Sequence, residues 1–296
     1  VQPHPARGEF YAAGAFFSRG SYGERTDVLT IHDYENLSPI AEIEIPSKTT
    51  ALPFRAYIGL LSGGDHVAIA NMTPAQSVSI VDVANRNFVG EISTPGCALI
   101  LPVANNDFLT ICGDGTLMLI DVDESGNESN RTRSAKFFDV QDDAVYDHPV
   151  QTADGWLLVS HGGKAYEVSV SGADMNIGDA WEIVTEEDAA ENWWPGGRQL
   201  YTVHKDLGLA YISMHQGEKY THHEPGSEIW VVSLEAQRRI ARIEFETPVV
   251  SVMVTQEAEP LLMVFDSEGG THVYDALTFT HERSIPGPDV ELFEDL

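Results

Sequence analysis

Residues 78–82 read VSIVD: an apolar strand pattern that stops on an aspartate, meets a turn and then restarts. The same punctuation recurs at Val28–Asp33 (VLTIHD), Leu117–Asp121 (LMLID), Ala165–Ser169 (AYEVS), Ile229–Ser233 (IWVVS) and Thr271–Asp275 (THVYD). From Asp33 through Asp82, Asp121, Ser169 and Ser233 to Asp275 the steps are 49, 39, 48, 64 and 42 residues. A period of roughly 40–50 residues with several strands in each unit is the signature of propeller blades. The expected fold is all-β, a β-propeller of about six four-stranded units.

Working outward from the repeated ending, each unit supplies three further strands. An inner strand is expected at Ala56–Leu61, Ala98–Val103, Leu200–His204 and Val250–Thr255. Turns rich in Gly, Asn and Asp follow (Ser62–Asp65, Asn105–Asp107, Lys205–Gly208), residue types that tolerate tight-turn dihedrals. A strongly apolar second strand comes next: His66–Ala70, Phe108–Cys112, Trp156–Ser160, Leu209–Met214 and Leu261–Phe265. The outer strand alternates, with Ile40, Glu42 and Glu44 against Ala41, Ile43 and Ile45, and Arg239, Ala241 and Ile243 against Ile240, Arg242 and Glu244. Period-two alternation puts one set inward and one toward water. The units begin at Val1, with a weak inner strand, and near Phe54, Ala98, Val145, Gln199 and Val249. One helical patch is expected, Glu186–Asn192. No linker or low-complexity segment divides the chain, so residues 1–296 are expected to form a single β-propeller domain.

The chain has 17 basic and 46 acidic residues, a formal net charge of −29. Nucleic acid and anionic membranes are therefore poor partners. The acidic residues are spread over all six units, which fits a solvated surface in a salty medium better than a patch that steers a cationic ligand. No apolar run approaches a membrane span. Val1 opens no signal-peptide pattern, as in a processed or trimmed chain.

Few residues suggest chemistry. There is no Gly-rich phosphate loop, CxxC or HExxH motif. His204, His215, His222 and His223 lie near Glu218 and Glu224. That composition suits a metal, but their placement in a strand, at a loop start and deep in the loop fits a polar connection, Gln216–Gly226. No metal ligand and no catalytic residue is assigned. Asp114 in Gly113-Asp114-Gly115 fits a turn acceptor. Cys97 and Cys112 lie at the ends of adjacent expected strands, where a disulfide or two buried thiols both fit. The string Trp193-Trp194-Pro195-Gly196-Gly197 offers aromatic rings on a loop. It fits a partner-binding anchor or channel lining, and equally an indole plug between blades.

From Val1 to about Gly287 the chain resembles the heavy subunit of the quinoprotein amine dehydrogenases. It resembles aromatic amine dehydrogenase more than methylamine dehydrogenase. The resemblance is carried by Gly23–Asp27 (GERTD), Asn71–Val83 (NMTPAQSVSIVDV), Gly96-Cys97, Thr110–Thr116 (TICGDGT), Asn192–Gly197 (NWWPGG), Met214-His215, Glu228–Val232 (EIWVV) and Gln237–Ile243 (QRRIARI). It implies a seven-bladed propeller in the periplasm, without a cofactor of its own, paired with a small light subunit in a two-plus-two heterotetramer. That light subunit would carry tryptophan tryptophylquinone and the catalytic Asp. A small copper protein, amicyanin- or azurin-like, would accept the electrons. The family cysteine pair matches Cys97 and Cys112, so the resemblance implies their disulfide. With such a partner, the aromatic-string reading makes Trp193, Trp194, Pro195, Gly196 and Gly197 the expected light-subunit interface or channel lining.

Relatives carry a further stretch upstream of Val1, roughly a blade and its closing strand, so this chain is expected to account for six blades. Val290–Phe293 (VELF) reads as a strand in search of an N-terminal partner. The alternative from a different class is a stand-alone propeller that binds a ligand or protein without a light subunit. A co-purifying small chain and a quinone absorbance distinguish the two.

Overall fold

The computed structural model describes residues 1–47 and 55–287. The expected start near Phe54 and the Val290–Phe293 strand lie outside them. By compactness the chain divides into Val1–Val140 with Val170–Met175, and Gln141–Ser169 with the stretch from Asn176 onward.

In the first unit, three four-stranded antiparallel sheets follow one another along the chain. The first contains β1 (Gln2–His4), β2 (Glu9–Phe17), β3 (Arg25–Asp33) and β4 (Pro39–Ile45). The second contains β5 (Ile58–Leu60), β6 (His66–Asn71), β7 (Ser77–Asp82) and β8 (Asn87–Ser93). The third contains β9 (Cys97–Pro102), β10 (Phe108–Cys112), β11 (Leu117–Val122) and β12 (Glu128–Arg133). Each pairs in chain order. The middle strands are mostly apolar and covered on both faces: the first five residues of β7, Ser77 and Ser79 among them, are all buried. In β4, Ile43 and Ile45 are buried while Ile40, Glu42 and Glu44 are exposed, as the alternation requires.

Two cores lie between successive sheets of this unit. Tyr11, Leu29, Ile31 and Ile43 of the first sheet pack with Val67, Ile69 and Val81 of the second. Ala68, Val78 and Ile80 pack with Ile100, Phe108 and Met118 of the third. Sheet faces meeting over an apolar layer are how such blades bury their surface. Cys97 and Cys112 face each other across β9 and β10 and are joined as a disulfide.

The next sheet contains β13 (Val150–Gln151), β14 (Trp156–Val159), β15 (Lys164–Ser171) and β16 (Asp174–Ile177), with β17 (Trp181–Glu182) against β15; apart from Val170–Met175 it belongs to the second unit. Helix α1 (Glu186–Ala190) starts at a capping box: the Thr185 hydroxyl accepts from the Asp188 N–H, and the Asp188 carboxylate accepts from the Thr185 N–H. Next come β18 (Trp193–Pro195), β19 (Tyr201–His204), β20 (Leu209–Gln216), β21 (Gly226–Ser233), β22 (Arg238–Val254), β23 (Leu261–Asp266), β24 (Gly270–Asp275) and β25 (His281–Pro286). The expected fifth and sixth units are both present, joined by the 17-residue β22. Its first half is the outer strand of one and its second half the inner strand of the next. The long 64-residue step reflects the added β17, α1, β18 and the connection after β20.

Leu157 and Val159 pack with Tyr201, Ile212 and Trp230, and Ile229 and Val231 pack with Val252, Leu262 and Val264, so here too the core lies between successive sheets. The fold class is all-β, of the β-propeller type. No helix among the described residues is long and apolar enough to cross a membrane.

Candidate functional site

The string Trp193–Gly197, expected as a loop, begins as a strand. In β18, Trp193 pairs with Gln216, Trp194 with His215 and Pro195 with Met214. The inner strand then resumes as β19 along the same β20, from Tyr201 opposite Ile212 to His204 opposite Leu209. The physical reason is backbone satisfaction. The end of β20 offers a free ladder edge, and pairing with it is worth more than leaving the peptide groups of a half-buried segment to water.

Trp193 is 4% exposed and packs into the second unit's core, 5.6 Å from the Trp230 ring. The Arg242 guanidinium lies over it at 4.7 Å. Arg242 forks onto Glu228 at 2.7 and 2.8 Å, and Glu228 also accepts the Trp230 indole N–H at 2.7 Å. Arg239, on Asp188 at 3.0 Å, covers the Trp230 ring at 3.9 Å. Burial pushes the Asp188 carboxyl up, but the Thr185 bonds and Arg239 outweigh it and hold it below the usual range. Trp193 is thus a core ring in a Trp–Arg–carboxylate stack. Trp194 is half-buried and donates its indole N–H to Gly217 O at 3.2 Å.

The two glycines let loop segments close onto this strand. Gly196 donates to Ser213 O and Gly197 to His222 O at 2.9 Å. A Cβ on Gly196 would collide with His215 Nδ1 and lie 2.7 Å from Glu224 O, and Gly197 has φ +122°. Only glycine fits either place. His215, expected at the start of the connection, is instead a buried residue of β20. Its Nδ1 is 3.1 Å from Trp194 O and its Nε2 2.8 Å from Thr221 Oγ1. A carbonyl only accepts, so Nδ1 carries the proton of the neutral ring, while the one Thr221 hydroxyl hydrogen is shared between Nε2 and Glu218 O, which lies 2.6 Å from it. Burial, partly opposed by Glu224, lowers its pKa and keeps that form.

Around the strand gathers a cluster that the sequence did not disclose. The isolated bridge between Val145 and Ser160 sets Tyr146 beside His161, with ring centroids 4.1 Å apart. His222 meets His161 edge-on at 4.4 Å and His223 at 4.1 Å. Tyr220 lies 5.8 Å from His161. The Tyr146 hydroxyl donates to Pro195 O at 3.0 Å, tying the cluster to the strand. Tyr220 and Lys219 donate to Asp142 O at 2.7 and 3.0 Å and pin the connection. Desolvation, reinforced by His222, lowers His161 to about 4, and desolvation with His223 lowers His222. Burial raises the Tyr146 phenol. The arrangement is a wall of imidazoles and phenols in which burial keeps His161 and His222 neutral, tied to β18 through Pro195 O and suited to stacking and hydrogen bonding.

Of the histidines noted in the sequence, His222 and His223 join this wall, and His215 props the strand beneath it. His204 stands apart, its Nε2 3.0 Å from Glu257 O. Among the described residues no group of three or more His, Cys, Asp or Glu is set to hold a metal ion. Asp114 is a turn acceptor, taking the Thr116 hydroxyl at 2.6 Å.

The profile of the methylamine dehydrogenase heavy chain family matches residues 5–288. The chain is 30% identical to the methylamine dehydrogenase heavy chain of Methylophilus methylotrophus over 89% of its own length and 66% of that protein's. It is 28% identical to that of Paracoccus versutus over 99% of its own length and 71% of the relative's. The chain spans about two thirds of the length of these curated relatives. The expected nearness to aromatic amine dehydrogenase draws no support from them. Dihydro-heme d1 dehydrogenase NirN, solved with DHE, superposes with a TM-score of 0.54 at 14% identity, covering 94% of this chain and 67% of that one, which shows likeness of fold. With one profile running from the first sheet to the last, the chain belongs to the methylamine dehydrogenase heavy chain family.

Proposed function

We propose that this chain is the heavy subunit of a periplasmic amine dehydrogenase. It is a scaffold without catalytic residues of its own, and it holds a small light subunit bearing tryptophan tryptophylquinone in a two-plus-two heterotetramer. The complex converts a primary amine and water to an aldehyde and ammonia and passes the electrons to a small copper protein, amicyanin- or azurin-like. When present, the quinone supplies an electrophilic carbonyl and stores two electrons, which no unmodified side chain does. The observation that carries this reading is the family match over residues 5–288. The Cys97–Cys112 disulfide supports an oxidising compartment.

In this reading the Trp193–Gly197 strand contacts the light subunit or lines the route to it. Trp194 presents its open ring edge, while Trp193, Pro195, Gly196 and Gly197 hold that ring in place. A well-seated aromatic anchor contributes about 2 kcal/mol or more. Trp194→Ala is therefore expected to weaken light-subunit binding about thirtyfold, read by titrating one subunit with the other.

The deciding experiment is native mass spectrometry and visible spectroscopy of the purified protein. It is joined to dye-linked turnover of methylamine, phenylethylamine and tyramine by the chain alone and by the complex. A small co-purifying chain, a quinone absorbance and turnover only by the complex are expected. Turnover by the isolated chain refutes the scaffold role. A monomer with neither small chain nor absorbance leaves a stand-alone binding module.

A further inference from the structure

The turn that ends β23 fixes one carboxylate against the two strands that follow. Asp266, 5% exposed, accepts the backbone N–H groups of Glu268 and Gly270 on Oδ1, at 2.9 and 2.8 Å. Its Oδ2 lies 2.8 Å from His272 Nε2 in β24, and His272 Nδ1 lies 2.9 Å from the Ser284 hydroxyl oxygen in β25. Burial pushes the Asp266 carboxyl up, but the Gly270 and His272 bonds outweigh it and hold it below the usual carboxylate range. An ionised carboxylate only accepts, so Nε2 carries the hydrogen of the neutral ring and Nδ1 presents its lone pair to the Ser284 hydroxyl. A hydroxyl, a base in hydrogen-bond reach and a third group that orients the base are the parts of serine acyl transfer, recognised by geometry rather than by chain order.

Strand register brings these residues together. His272 stands opposite Ser284. The ladder then shifts between Val273 and Tyr274, which leaves Glu282 as an extra residue in β25. That bulge turns His281 to the same side as Ser284, and its Nε2 lies 3.0 Å from the same hydroxyl oxygen. The one Ser284 hydrogen goes to His272, so His281 donates to the oxygen, and its N–H is at hand for the oxyanion that forms beside it. Tyr274 lies on this side too, with its ring 5.2 Å from His281 and 5.5 Å from Phe245 of β22. The side therefore faces the preceding strands. Ser284 is exposed and His272 half-buried, and the Tyr274 and Phe245 rings give a small apolar or aryl group something to lie on.

We propose that Ser284 is an acyl-accepting nucleophile toward small aryl and alkyl esters, with His272 as its general base, Asp266 positioning His272, and His281 donating to the oxyanion. The Ser284 oxygen bonds to the ester carbonyl carbon as its proton passes to His272 Nδ1. The bond from that carbon to the alcohol oxygen breaks, and the alcohol leaves with the proton. Water, deprotonated by the same nitrogen, then attacks the acyl-serine, which releases the carboxylic acid and restores the hydroxyl. This reaction is separate from amine oxidation and does not rest on the heavy-subunit reading.

The full chain is treated with p-nitrophenyl acetate and, separately, with a fluorophosphonate, and the adducts are located by peptide mass spectrometry. One acetyl or phosphonyl group on Ser284 is expected. Ser284→Ala, an exposed change that leaves the fold intact, is expected to abolish it, and His272→Gln to slow it roughly a hundredfold. Asp266→Asn reads the positioning role. The Glu268 and Gly270 N–H groups keep its amide oxygen, so its NH2 turns to Nε2 and drives the ring hydrogen to Nδ1, where the base is blocked. Nitrogen-15 NMR of His272 is expected to show that change of tautomer, with labelling at least tenfold slower and the circular dichroism unchanged. Adducts on other residues with Ser284 unmodified, or equal rates for the parent and His272→Gln, overturn the proposal. Full-rate labelling of Asp266→Asn with its tautomer inverted overturns the roles given to His272 and Asp266.

Discussion

Burial beside His222 holds the His161 imidazole near 4, whereas in the unfolded chain it titrates at about 6.5. Between those values the unfolded state binds more protons, so stability is fully present above about pH 6.5 and falls as pH drops toward 4. His222 and His215 are shifted the same way, by the same desolvation. The facing carboxylates act lower on the scale. Burial alone would raise Asp147, but its bond to His148 outweighs this and holds it below the usual range, so its contribution is lost only in more acid solution. The melting temperature is expected to fall from pH 7 to pH 5, and His161→Phe is expected to flatten that slope. Equal slopes for parent and variant, measured by calorimetry in one buffer series, contradict the assignment. None of this was legible in the sequence. Tyr146 and His161 lie 15 residues apart and 61 or more from His222, and only the Val145–Ser160 bridge and the pinned connection bring them together.

Strands β9 and β10 carry the disulfide at the end of their ladder, where Cys112 faces Cys97. Replacing both cysteines by serine is expected to cost about 2–5 kcal/mol, read from the denaturation midpoint, with most of the loss from the freed unfolded chain. A shift of less than about 0.5 kcal/mol would show the bridge to be idle. Elements of this kind were the legible ones. β7, β10 and β11 are covered on both faces, so their sequences are mostly apolar, broken only by small hydroxyl residues (Ser77, Ser79, Thr110) and the closing Asp82 and Asp121, and the polar turn residues between them fix their ends. β18 was not legible, because a Trp-Trp-Pro followed by two glycines has loop composition. What makes it a strand is the far end of β20, some twenty residues on. β1 is weak in sequence for a related reason: three residues paired to β2 leave little periodicity to read.

At the scale of the molecule, 46 acidic against 17 basic residues make self-repulsion the dominant long-range force. Screening length falls from about 10 Å at 0.1 M salt to about 3 Å at 1 M. The melting temperature is therefore expected to rise by about 2 °C or more between those concentrations of NaCl, about 1 kcal/mol for a chain of this size. A flat profile would mean that local pairs, such as Arg7 with Asp65 and Lys136 with Asp139, already offset the excess. The repeat that gave the blade count was visible because every blade solves the same burial problem. The 17-residue β22 has a further consequence. One strand serves both units, and its register shifts against β21 between Glu244 and Val249 and against β23 between Val249 and Ser251, so a force applied to either unit passes through that short crossover to the other. An odd-numbered insertion elsewhere in β22 would invert the inward and outward sides of one unit, whereas near Thr247 the irregular register can absorb it, so this crossover is where the strand tolerates a change of length.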